Sequence, residues 1–148
     1  MISIDQIKQL RESTGISISE CQKALKEAKG DPVKAREILK KWGKEVAEKK
    51  KTREVKEGIV EIYLHPGGKV GVMILLRCES DFVTRSEDFR KLAHELCLQI
   101  AAMEPTEDSL MEQPWIKDES RTIKDLMEEY IAKLGENICV EKFVRYEL

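Results

Sequence analysis

Apolar residues recur along this chain with two different spacings, and the spacing changes once, near Gly58. Before that point it is helical. Ile4, Ile7 and Leu10 fall on one face behind Ser3, which has Gln6 three places on, as a capping box requires. Thr14-Gly15 breaks this helix. Ser17 and Glu20 open a second, whose apolar face is Ile18, Cys21, Leu25 and Ala28 and whose end is set by Gly30. Asp31 and Pro32 start a third helix with Ala35, Ile38, Leu39 and Trp42 turned inward, and Gly43 is expected to stop it. Residues 44–57 hold six basic and four acidic side chains, with only Val46, Ala47 and Val55 apolar, which predicts a solvated helical linker.

Beyond Gly58 the period is two. Val60, Ile62 and Leu64 alternate with more polar positions, His65-Pro66-Gly67-Gly68 supplies turn residues, and Val70, Val72, Ile74, Leu76 and Cys78 alternate again, so a β-hairpin is predicted. Ser86-Glu87-Asp88-Phe89 is a helix start. Phe89, Leu92, Ala93, Leu96, Ile100 and Met103 share a face that runs out before Pro105. Residues 104–121 read as a loop pinned to the body by Pro114-Trp115-Ile116. Ile123, Leu126, Met127, Tyr130, Ile131 and Leu134 make a second amphipathic helix closing at Gly135, and Ile138, Val140 and Phe143 to Tyr146 make a last strand. The economical packing is α+β: three antiparallel strands with two helices over one face. The expected domains are a three-helix module at 1–43, the charged linker at 44–57 and an α+β core and dimerisation domain at 58–148.

Composition narrows the class. Of 148 residues 36% are charged and 5% aromatic, and no stretch approaches the roughly 20 apolar residues of a membrane span. Met1-Ile2-Ser3-Ile4-Asp5 lacks the basic-then-apolar order of a secretion signal, and four scattered cysteines (Cys21, Cys78, Cys97, Cys139) without a Cys-x-x-Cys fit a reducing compartment. A cytoplasmic protein is expected. Charge is uneven: residues 1–57 carry 15 Lys/Arg against 10 Asp/Glu, net +5, and residues 58–148 carry 11 against 18, net −7. A basic lobe on an acidic body orients a protein partner. Its acids and lack of aromatics argue against a nucleic-acid surface, and Lys49-Lys50-Lys51 reads as solvated.

No catalytic constellation is visible. The two histidines, His65 and His94, offer at most a two-ligand pair with Cys97, too few for structural zinc, and Gly67-Gly68 precedes a strand rather than the helix of a phosphate loop. The unusual stretch is Arg77 to Val83, where an apolar strand ends and an acid, Asp81, sits beside an aromatic, Phe82. Either the ring meets another molecule, or it folds back under the following helix as core while Asp81 satisfies loose backbone donors.

Cys78-Glu79-Ser80-Asp81-Phe82-Val83 resembles the Cys-Glu-Thr-Asp-Phe-Val signature of the translation elongation factor Ts family, with Ser80 for the threonine. Leu10-Arg11-Glu12-Ser13-Thr14-Gly15, Glu20-Cys21-Gln22-Lys23-Ala24-Leu25 and Gly30-Asp31 are similar to its N-terminal signature. That signature usually has glycine near Ser17 and often two methionines at Ile18 and Ser19. Lys133-Leu134-Gly135-Glu136-Asn137-Ile138 resembles a third family segment. The resemblance implies a ubiquitin-associated-like N-terminal module and the short form of the family, with one core half and a homodimer supplying the other. It implies a guanine nucleotide exchange factor, not an enzyme, that releases GDP from elongation factor Tu. In that family the Asp-Phe pair enters the partner near its Mg²⁺ and the phenylalanine wedges between partner side chains.

Those roles fall here on Asp81 and Phe82, flanked by Ser80 and Val83. Asp81 acts there either on metal-bound water or as an acceptor that fixes the wedge. Further partner contacts fall on Arg11, Ile18 and Ser19, although Ile18 suits core packing equally. No cofactor, metal, nucleic acid or membrane is called for. Two other readings stay open: a ubiquitin-associated-like adaptor without exchange activity, and a metal-dependent hydrolase using Glu79 and Asp81.

Overall fold

The computed structural model describes residues 1–148. Three helices, α1 (Ile4–Thr14), α2 (Ile18–Glu27) and α3 (Pro32–Lys50), precede a body of sheet and helices. The start signals act as their chemistry requires. The Ser3 hydroxyl accepts from the Gln6 amide while the Gln6 side chain accepts from the Ser3 amide, and Ser17 and Asp31 cap α2 and α3. Leu10, Cys21, Ala24, Leu25, Ala28, Ala35 and Leu39 form a small core among them.

α3 does not stop at Gly43. Gly15, Gly30 and Gly135 close helices at positive φ, whereas Gly43 is an interior helical residue. A Cβ added there would lie 3.4 Å from the Ala132 methyl, so the glycine serves the close approach of α3 to a later helix, α6 (Ile123–Leu134). Ala47, one turn on, is buried in the core of the body. Tertiary packing outweighs the roughly 1 kcal/mol a helical glycine costs. The expected linker therefore begins as the last two turns of α3.

Strands β1 (Glu57–Leu64), β2 (Val70–Cys78) and β5 (Ile138–Glu147) form an antiparallel sheet in the order β1-β2-β5, the α+β arrangement expected. Glu57 pairs with Cys78 and Leu64 with Gly71 across the hairpin. Between β2 and β5 the register slips once, leaving Glu141 as the extra residue of a bulge. The inner face, with Val72, Ile74, Leu76 and Cys78, packs under α5 (Glu87–Met103) and α6. Phe89, Leu92, Leu96, Ile100, Ile123 and Leu126 complete this core with at most 2% exposure. The outer face carries no helix. Val60 lies opposite Leu75, Ile62 opposite Met73, Met73 opposite Val144 and Gly71 opposite Tyr146, and Val60, Ile62, Leu64, Met73, Val144 and Tyr146 are exposed. No helix is long and apolar enough to cross a membrane.

Residues 104–121 hold more order than a plain loop. A 3₁₀ turn (Leu110–Glu112) leads to a two-stranded ribbon, β3 (Pro114–Trp115) with β4 (Asp118–Thr122). The pin is Gln99, fully buried on α5. Its amide donates to Gln113 Oε1 (3.1 Å) and the Pro114 carbonyl (3.0 Å) and accepts from the Ile116 amide (2.9 Å). Arg121 lies 4.8 Å over the Trp115 ring.

Candidate functional site

β2 ends at Cys78, and two residues later the chain turns into a four-residue helix, α4 (Asp81–Thr84), where a bare connection was expected. Ser80 is its N-cap, with extended backbone and a hydroxyl that accepts from the Val83 amide at 3.3 Å. A helix this short is not stable by itself. Val83 and Thr84 are each 5% exposed and root it in the body, and the Ser86 hydroxyl donates to the Val83 carbonyl at 2.8 Å before capping α5.

Phe82 points the other way. It is 87% exposed, so the reading in which it folds under the helix as core fails, and Phe89 holds the buried place instead. Asp81 is also exposed and is held by its own helix. Its carboxylate accepts from the Thr84 hydroxyl at 3.0 Å and pairs with Arg85 one turn on. The Thr84 hydroxyl also donates to the Asp81 carbonyl at 2.6 Å. Ser80 and Val83, flanking the pair, brace it from below.

Behind the tip lies a polar lacing. Glu136 Oε1 accepts from the amides of Glu79 (3.1 Å) and Ser80 (2.9 Å), and Oε2 accepts from the Ser80 hydroxyl at 2.5 Å. Glu79 in return accepts from the Asn137 amide at 2.6 Å, with the Arg53 guanidinium 3.7 Å from its other oxygen. Asn137 Nδ2 donates to the Arg53 carbonyl at 2.9 Å. The Cys78 thiol donates to the Ser80 carbonyl at 3.3 Å, and burial, with Glu136 nearby, pushes its pKa up to about 11.

Glu79 and Asp81, considered as a cation-binding pair, are thus engaged with separate partners: Asn137 and Arg53 for one, Thr84 and Arg85 for the other. His94 and Cys97, three places apart on α5, have contacts of their own. The Tyr63 ring stands 6.0 Å from His94, its hydroxyl lies 2.9 Å from His65 Nδ1, and the buried Cys97 thiol donates to the Glu61 carbonyl. Arg11 sits exposed in the last turn of α1, with Ile18 and Ser19 exposed in the first turn of α2. Ile18 is 55% exposed. Ala24, overlooked in the periodicity, joins Cys21 and Leu25 in the helical core instead.

An elongation factor Ts family model matches residues 6–107, which include most of the N-terminal module, the hairpin, the tip and α5. The elongation factor Ts of Moorella thermoacetica is 39% identical over an alignment covering 100% of this chain and 96% of that protein. That of Thermotoga maritima is 41% identical, covering 99% and 96%. The chain belongs to the elongation factor Ts family. The alignment to the Moorella protein runs over 194 positions against 148 residues here, so that elongation factor Ts carries residues without a counterpart in this chain.

The Asp81/Arg85 pair depends on α4, which the sequence did not signal, and the lacing by Glu136 and Asn137 joins residues more than fifty positions apart and has no local signal.

Proposed function

We propose that this protein is a guanine nucleotide exchange factor of translation elongation, working in the cytoplasm, that promotes GDP release from elongation factor Tu by presenting Asp81 and Phe82 to the partner's nucleotide and Mg²⁺ site. The observation that carries the reading is the fully projected Phe82 ring on a helix rooted by Val83 and Thr84, in a member of the elongation factor Ts family. An exposed aromatic on a braced base contributes roughly 1.5–3 kcal/mol when a partner buries it, and it loses little side-chain freedom in doing so.

Mg²⁺ bridges protein ligands and phosphate oxygens, so a small displacement of either weakens nucleotide binding. Exchange then follows from linkage. A factor that binds the nucleotide-free partner more tightly than the GDP-bound one must lower GDP affinity by the same ratio, with no covalent step. Asp81 enters with an acceptor already aimed by Thr84 and Arg85. Arg11, Ile18 and Ser19 serve as a second grip, suited by their exposure on the basic lobe.

The outer sheet face supports a homodimer. Its paired apolar side chains form a surface that a second copy would cover. The test of the exchange reading is the rate at which labelled GDP leaves elongation factor Tu with and without this protein. Acceleration supports it, and an unchanged rate at saturating protein refutes it. The adaptor alternative predicts partner binding without acceleration.

A further inference from the structure

We infer that Glu136, on the turn between α6 and β5, is the positioning residue that aims the Asp81-Phe82 tip. The inference rests on the exchange reading above. A one-turn helix has no direction of its own, so something outside it must set the direction in which Phe82 projects. Val83 and Thr84 hold α4 from beneath, but the N-terminal end, where Asp81 and Phe82 sit, is gripped by one carboxylate. Both Glu136 oxygens are engaged, with the Glu79 and Ser80 amides on one and the Ser80 hydroxyl on the other. Hydrogen bonds to an ionised acceptor are stronger than neutral ones, and three of them converge on two consecutive residues.

The grip is reciprocal, because Glu79 accepts from the Asn137 amide, so each turn satisfies the other's free backbone donors. Asn137, 7% exposed, carries the lacing on to the carbonyls of Lys51 and Arg53 where α3 gives way to β1. Both Glu136 oxygens are turned to the Glu79-Ser80 turn. Glu136 acts through the tip and not beside it.

In the full chain, Glu136→Ala is expected to speed hydrogen exchange of the Glu79 and Ser80 amides by about tenfold or more, because their acceptor is gone, and to loosen the Val83 and Thr84 amides that bond to Ser80. The limiting rate of GDP release from elongation factor Tu is expected to fall about tenfold, while the half-saturating concentration stays within about twofold, since the ring is mis-aimed rather than removed. Glu136→Gln, whose amide oxygen still accepts from Glu79 and Ser80, is expected to retain most of both properties. Adding Phe82→Ala to Glu136→Ala should cost little beyond Phe82→Ala alone, whereas a merely structural residue would add its loss in full.

Unchanged amide protection, or fully additive losses, overturns the assignment. Where the alanine variant melts too low to assay, Ser80→Ala, which removes the hydroxyl donor and the cap, carries the same comparison. A wild-type protein that releases no GDP, but whose Glu79 and Ser80 amides loosen in Glu136→Ala, defeats the exchange reading and upholds the positioning role.

Discussion

Two parts of this molecule leave apolar side chains in water, and they do so in opposite ways. At the tip one ring, Phe82, stands alone on a one-turn helix, with Asp81 and Arg85 paired beside it and a laced turn behind it. On the outer sheet face at least six apolar side chains lie flat, held in cross-strand register by β1, β2 and β5. A lone ring on a rigid base suits insertion into a pocket and withdrawal again, because little area must be wetted on release. A broad flat face suits association that persists, since burial scales with area and is non-directional. The difference teaches that exposure alone does not identify a site. The number of exposed groups and what braces them separate a transient contact from a standing one.

The comparison breaks most sharply at Phe82. Phe82→Ala should slow catalysed GDP release by about 10- to 100-fold, the equivalent of burying one aromatic side chain, with an unchanged melting temperature. Wild-type release by that variant would remove the tip from the mechanism, and a changed molecular mass would tie it to association. Ile62→Glu or Met73→Glu should act in reverse, giving a monomeric mass by light scattering while each monomer keeps its fold, because a charge cannot be buried unpaired in a sheet-to-sheet contact. A wild-type monomer at working concentration would dispose of the dimer outright.

Ile18→Ser should weaken half-saturation by a few-fold without touching the limiting rate, as loss of a rim contact does. A drop in the limiting rate instead would place Ile18 nearer the chemistry than the second grip requires.

The smallest effect concerns neither surface. Asp125 is held at a pKa of about 2, since burial, which would raise it, is outweighed by the Thr122 amide and the Lys44 ammonium 2.9 Å away. A carboxylate depressed in the folded state stabilises above its unfolded pKa of about 3.9, and that contribution disappears as pH falls through about 2. Lys44→Ala should therefore cost about 0.5 kcal/mol near neutrality, given that Lys44 is 48% exposed, and the deficit should shrink below pH 4. Acid titrations of the two proteins that run parallel to pH 2 would show that Lys44 contributes nothing through Asp125.

Much of the fold was legible because local chemistry and tertiary need agreed. Ser3, Ser17, Asp31 and Ser86 cap helices, Gly15, Gly30 and Gly135 close them, and the alternation from Val60 to Cys78 makes a hairpin. Legibility failed where a long-range contact set the answer. Gly43 resembles a stop until Ala132 is seen against it, and residues 104–121 resemble loop until Gln99 is seen holding their backbone. At the candidate site, Asp81 and Phe82 stand out by composition alone, as an acid and an aromatic at a strand end. Composition does not fix whether the ring faces inward or outward; only packing shows Phe82 87% exposed while Val83 and Thr84 beside it are buried.

By itself the sequence determined the order of the elements, the α+β class and the three segments that resemble elongation factor Ts, because caps, glycines and periodicity act within a few residues of themselves. The tertiary structure alone decided which way Phe82 points, which carboxylate aims it, and how far α3 runs past Gly43. Each of these depends on side chains brought together from positions far apart in the chain, and hydrogen bonds such as that from Ser80 to Glu136 leave no periodic trace.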